Sequence, residues 1–188
     1  MKKRIITIAL VCALLATCFG GTLAYLKDTD AVKNTFTTGN VYISLDEQKI
    51  GSEERTTETQ DYKLFPGMTV TKDPTITLDA GSEDAWIAAK ITFSGYNAKA
   101  LISNGALFNG TAEVVEVGNV LYVYVKDIQK ADAKIVLFDT LKVPETWGNT
   151  EMAALNNMTI DVEAYAVQAN GFATCEAAMK AAFPAAFN

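Results

Sequence analysis

Gly20-Gly-Thr-Leu-Ala-Tyr25-Leu-Lys-Asp-Thr-Asp-Ala-Val-Lys-Asn-Thr-Phe-Thr-Thr-Gly39-Asn-Val-Tyr-Ile-Ser-Leu45 joins two kinds of sequence. Its last six residues alternate, with Val41, Ile43 and Leu45 on one side and Asn40, Tyr42 and Ser44 on the other. A period of two marks a strand with one buried face. Phe36, just before Gly39, is expected to pack at the entry of that strand. The first residues of the stretch are small and end an apolar run. The stretch thus predicts the end of an export leader, a new N-terminus and the first strand of a β domain.

Upstream, Lys2, Lys3 and Arg4 form a basic start, and residues 5–19 are an apolar run too short to span a bilayer comfortably. Ala24 offers a small residue at the position before cleavage and Thr22 another at −3, so Tyr25 is the expected new N-terminus. Residues 1–24 read as a signal peptide whose helix is no part of the fold, and residues 25–188 as one exported domain. Two other readings of the leader are an uncleaved anchor and a lipoprotein site at Leu15-Ala-Thr-Cys18.

The same residues carry a resemblance. Gly20-Gly-Thr-Leu-Ala-Tyr25-Leu-Lys-Asp28 and Asn34-Thr-Phe-Thr-Thr-Gly39-Asn-Val-Tyr-Ile-Ser-Leu45 look like the start of the TasA/camelysin family, with Leu23 where an aromatic is common. Pieces at residues 63–84, 137–144 and 164–172 are similar to it too. The resemblance implies a Gram-positive surface or biofilm-matrix protein, with a leader removed by a SipW-type signal peptidase. It also narrows the fold to a jelly-roll-like sandwich.

Downstream, residues 46–61 are polar and charged and read as an exposed loop. Phe65-Pro-Gly67 is a turn signal. A strand pair or bulged strand follows to Leu78, with Pro74 expected at an edge or bulge. Residues 85–93 are apolar enough for a central strand. A short helix is expected near residues 98–102. Gly118-Asn119 separates two β-rich runs, a hairpin of the II′ kind. Residues 135–143 form a strand stopped by Pro144. A short helix after residue 149 is expected to be capped by Asn149 or Thr150. In residues 158–167, Ile160, Val162, Ala164 and Ala166 alternate with Thr159, Asp161, Glu163 and Tyr165. Thr174 caps a last helix that ends at Pro184. Eight or nine strands with few helices predict an all-β fold, a single antiparallel β-sandwich.

Without Lys2, Lys3 and Arg4 the exported chain has 13 basic and 22 acidic residues, a formal charge of −9. Such a surface repels phosphate backbones and anionic lipid, so nucleic acid is no expected partner and the membrane is met only through the leader. There is no histidine, which removes Ser-His-Asp and Cys-His catalysis, His-ligated zinc and any His-Glu-x-x-His motif. Asp28 with Asp30, and Asp79 with Glu83 and Asp84, read as solvated turns rather than calcium ligands, since neither has EF-hand spacing. Cys175, alone after leader removal, reads as a small semi-buried residue near a helix start, with an intermolecular disulfide as the alternative; it has no base partner, although a helix N-terminus can lower a thiol pKa. No catalytic residue, metal site or cofactor is assigned, and the expected protein is not an enzyme.

Two functions remain. In one, residues 25–38 leave their domain and add a strand to the next subunit, with Leu26, Val32 and Phe36 as anchors, building a homopolymer or a fibre of related matrix subunits. The strand-adding mechanism is carried over from the resemblance; the sequence itself shows a leader followed by an extended, separable segment. In the other, the protein is a monomeric secreted module for glycan or protein, with Trp86, Trp147, Tyr122 and Tyr124 as stacking candidates.

Overall fold

Alternating apolar residues and turn-forming glycines divide the chain into short strands. The computed structural model describes residues 39–187. In chain order the strands are β1 (Ile43–Gln48), β2 (Arg55–Thr56), β3 (Thr69–Thr71), β4 (Thr75–Leu78), β5 (Ala85–Ser94), β6 (Ile102–Ser103), β7 (Ala112–Val117), β8 (Val120–Val125), β9 (Lys134–Val136), β10 (Thr140–Lys142) and β11 (Thr159–Gln168). Helix α1 (Asn149–Ala154) precedes β11, helix α2 (Cys175–Ala182) follows it, and one 3-10 turn, Ala98–Ala100, stands where the short helix was expected. The leader and residues 25–38 lie outside the described residues.

β3 with β4, and β9 with β10, are halves of one antiparallel ladder. Val70 faces Leu141 and Ile76 faces Ile135 in a single unbroken register. Across the gap, Lys72 N–H donates to Asp139 O at 3.1 Å and Leu137 N–H to Pro74 O at 2.9 Å. Pro74 interrupts the strand because it has no N–H to donate. It lies buried at a break inside the sheet rather than at an edge. With β2 and β1 beyond β4, and β6 beyond β10, these strands form one layer of a sandwich.

The other layer runs β11-β5-β8-β7. β5 is its spine, paired over ten residues with β11 and over five with β8. Ile87, Ala89, Ile91 and Phe93 point inward from β5, where they share one core with Ile76 and Leu78 of β4, Leu137 and Phe138 between β9 and β10, and Leu121 and Val123 of β8. Each of the larger side chains contributes about 1.5–3 kcal/mol by leaving water. The nested pairing of β3/β4 with β9/β10 in one layer and of β5 with β8 in the other is a jelly-roll-like winding. The fold is the all-β antiparallel sandwich expected.

Local chemistry sets the connections. Gly67 at φ +79° and Met68 N–H donating to Phe65 O at 3.0 Å close the Pro-Gly turn. Gly118 at φ +60° closes the β7–β8 hairpin as a Gly-first turn. α1 starts one residue earlier than expected, with Gly148 as its cap: the Glu151 carboxylate accepts the Gly148 N–H at 2.9 Å and supplies the polar contact expected of Asn149 or Thr150. Hydrogen bonds from its own N–H and from that of Gly148 hold the Glu151 carboxyl below its usual range. Thr174 caps α2, accepting Ala177 N–H at 3.2 Å.

α2 covers half of the outer face of the second layer. Trp86, Ala88 and Tyr124 bury there against Ala178, Met179 and Phe187. Phe187 meets Tyr165 edge-on at 4.9 Å between ring centroids, with Tyr122 and Tyr124 each at 5.7 Å. β5 is thus covered on both faces over half its length, which explains its nearly continuous apolar sequence.

Phe138→Ala is expected to destabilise the domain by about 3–5 kcal/mol, and Val117→Ala, at an exposed edge position, by less than about 0.5 kcal/mol. Chemical unfolding followed by intrinsic fluorescence measures both.

Candidate functional site

A strand in a sheet has two hydrogen-bonding edges, and β11 uses one. Its ten residues all pair with β5, and no described residue pairs with its outer edge. On β11, Ile160, Val162, Ala164 and Ala166 are only half buried, and so are Val41, Ile43 and Leu45 at the near edge of the other layer. The sandwich is therefore apolar but incompletely covered along the seam between β1 and β11.

At one end this seam opens into a groove of about 450 Å³. Residues 159–162 form one wall and residues 56–62 the other, over a floor that includes Leu45, Leu64, Leu141 and Leu155. The second wall lies in the stretch expected to be a plain loop. Instead β1 runs on to Gln48, β2 pairs with its end, and the chain then crosses as an extended strap.

Polar contacts hold that strap in place. No residue from 49 to 61 is buried. Arg55 bridges two carboxylates, with Nη2 at 2.7 Å from Asp46 Oδ1 and Nη1 paired with Asp73. Burial pulls the Arg55 pKa down, but the hydrogen bonds to Asp46 and Asp73 outweigh it and the net shift is upward. Gln60 Nε2 donates to Glu47 Oε1 and to Gln48 O, both at 2.9 Å, while its Oε1 accepts Ile50 N–H at 2.6 Å. Lys72 pairs with Glu47 at 2.7 Å and lies 5.3 Å from the Tyr62 ring centroid. Burial, then the charges of Glu47 and Asp73, push the Tyr62 hydroxyl up to about 12. Nothing in the polar pattern of residues 46–61 signalled these contacts, because each partner lies elsewhere in the chain or on the facing strand.

The other candidates disperse. Thr22, Ala24 and Tyr25 at the cleavage point, Leu26, Val32 and Phe36 of the assembly segment, and the Asp28–Asp30 pair all lie outside the described residues. Trp86 is buried, Tyr122 and Tyr124 lie beneath Phe187, and Trp147 meets Tyr96 edge-on at 5.9 Å. These four do not form an exposed stacking platform. Asp79 accepts from Ser44 Oγ at 3.0 Å as a turn residue. Among the described residues no group of three or more His, Cys, Asp or Glu is placed to hold a metal ion, and no helix is long and apolar enough to cross a membrane.

Cys175 is the small residue near a helix start that the sequence suggested, buried more fully than expected. It lies at the start of α2, but it is buried under the helix, where its Sγ–H donates to Ile87 O at 3.1 Å. Burial pushes the thiol up to about 12, against a smaller downward pull from a hydrogen bond with the Val125 main chain.

The model of the camelysin metallo-endopeptidase family matches residues 1–100. That stretch contains the strap and β1 to β5, whereas β11 lies beyond it. No curated protein and no solved structure matches the chain.

In the folded protein Cys175 is expected to resist a thiol reagent at pH 8 and to react fully in denaturant. Its contribution to stability is complete below its ordinary pKa of 9.0 and is lost as pH rises towards about 12, since only the unfolded thiol ionises within that window. Unfolding midpoints compared with those of Cys175→Ala across that range measure the loss.

Proposed function

The chain belongs to the camelysin metallo-endopeptidase family, a family of exported proteins, and from that membership we propose that it is a structural subunit of extracellular matrix or surface fibres. In this reading a SipW-type signal peptidase cuts after Ala24, and residues 25–38 of one copy then add as a strand to the next. The polymer forms from copies of this chain or from related matrix subunits. It stands outside the cell in the matrix or at the surface of a Gram-positive-type bacterium. The membrane is met only through the leader, and nucleic acid is no partner.

The single observation that carries the reading is the unpaired edge of β11 beside a half-covered apolar seam. An added strand would supply main-chain partners to β11 and cover Ile160 and Val162 with its own apolar side chains. The length suffices: residues 25–38 span about 46 Å when extended, more than the length of β11, about 33 Å.

The chain's path favours exchange between copies. Glu83 N–H donates to Asn40 O at 2.9 Å and Ala169 N–H to Asp84 O at 2.8 Å, so Asn40 lies near the C-terminal end of β11. A segment that leads into residue 39 and lay along its own β11 would run parallel to it. A segment from another copy is free to pair antiparallel, the more stable geometry per residue. Such a contact joins unlike surfaces and does not close on itself, so it propagates as a filament.

The family's description names a metallo-endopeptidase. That activity is not part of this reading, because the chain has no histidine and its described acidic residues do not converge. A metal centre does not fit the residues present, and no step through one is assigned.

The test is negative-stain electron microscopy of the chain beginning at Tyr25, concentrated at neutral and mildly acidic pH. Acid protonates carboxylates and relieves the repulsion of the −9 charge, so filaments are expected to form more readily there. Removing residues 25–38 is expected to abolish them. A persistent monomer in both conditions would overturn the homopolymer in favour of a monomeric binding module or an accessory subunit that needs another protein.

A further inference from the structure

The groove has two walls, and both offer unused main chain. One is the outer edge of β11. The other is residues 57–64. Within that run the main chain makes one hydrogen bond to a described residue, from Glu58 N–H to Thr56 Oγ1 at 3.0 Å, and no carbonyl of the run accepts one from a described residue. None of the eight residues is buried, so their main-chain groups are left to water and stay available to an incoming strand. They cross beside an apolar floor, where water is a poorer substitute than on an open surface.

The strap is also lightly fixed. A second hollow, of about 760 Å³, lies along residues 48–53 and 61–65. The strap therefore has space on both sides. Between Arg55 and Leu64, whose side chain packs against the core, it is held by the polar contacts of Gln60, and Ile50 in the turn before it is 51% exposed. Few buried contacts and unpaired amides mark a segment that opens at low cost.

We propose that residues 57–64 are the second jaw of a strand clamp: residues 25–38 of a neighbouring copy lie between β11 and the strap, hydrogen-bonded on both edges, and the strap becomes a strand when they arrive. This rests on the strand-addition reading above and adds to it a second acceptor edge. The Arg55 bridge to Asp46 and Asp73 tethers the strap at β2 and Leu64 holds its far end on the core, so that the residues between them move while both ends stay in place. An incoming strand bonded on both edges is an inner strand of a sheet, with no edge of its own left exposed.

Hydrogen exchange on the chain beginning at Tyr25, as monomer and as filament, tests the clamp. Amides of residues 57–64 are expected to exchange fast in the monomer and to slow by about a hundredfold or more in the filament, together with the outward amides of β11. Slowing in β11 with residues 57–64 still fast would overturn the clamp and leave simple strand addition standing. Filaments in which neither slows would overturn strand addition at this groove. A substitution gives an independent readout. Asp61 is exposed and neither its amide nor its carbonyl bonds a described residue. Asp61→Pro is therefore expected to keep the monomer's unfolding midpoint while raising the concentration needed for filaments by about tenfold, with Asp61→Ala, which keeps the N–H, close to the parent chain. Equal filament formation by all three, with the proline variant folded, would also overturn the clamp.

Discussion

The ten-residue ladder between β5 and β11 is the constraint on which this molecule depends. It fixes which residues of β11 face the core, and it aligns the outer edge of β11 as a straight row of main-chain groups. β5 can hold this position because both of its faces are covered, one by the sandwich core and half of the other by α2 with Phe187. β8 is similarly secured, between β5 and β7. Among the described residues, β11 is secured on one edge only. The apolar residues that the fold could not fully cover, on β1 and β11, lie along the same seam. Incomplete burial and unsatisfied backbone thus coincide in one place.

Two kinds of cohesion divide the described residues. The sandwich is held by apolar area, with Phe93, Phe138 and Ile91 among its fully buried side chains. The strap, up to its end at Leu64 on the core, is held by the ion pairs of Arg55 and by amide hydrogen bonds at partly exposed positions. Exposed pairs of this kind are each worth about 0–1 kcal/mol, against about 1.5–3 kcal/mol for one buried aliphatic or aromatic side chain. The strap can therefore rearrange while the sandwich stays folded. Asp73 links the two regions. It adjoins Pro74 at the interruption of the β3–β4 strand, and its carboxylate takes both the Gln48 N–H at 2.7 Å and the Arg55 guanidinium.

The features legible in the sequence were those with local causes. The alternation at residues 159–166, the apolar run of β5, the Gly118-Asn119 hairpin, the Pro-Gly turn and the Thr174 cap each state their structure within a few residues. The jelly-roll-like winding needed the family resemblance, since strand pattern alone does not choose a topology. β2 was not legible: it is two residues long, one of them charged, and it exists because Arg55 reaches Asp46 and Asp73. The groove was not legible either, because polar residues carry no period that tells a solvated loop from the wall of a cleft. At the cap of α1 a competing effect decided: the Glu151 side chain acted where Asn149 or Thr150 was expected. The aromatics offered as a stacking surface belong to the cover beneath α2 and Phe187, a placement set by where the chain's end returns.

The long register of β11 has a mechanical side. Inter-strand hydrogen bonds lie perpendicular to the strands, so a pull along a strand docked at this edge loads its bonds together, in shear, rather than peeling them one at a time. The force would pass from that strand into β11 and then across ten residues into β5, the best-buried element of the domain. A filament joined in this way would carry tension through its most rigid layer. The strap, on the opposite side of the docked strand, would bear little of the load.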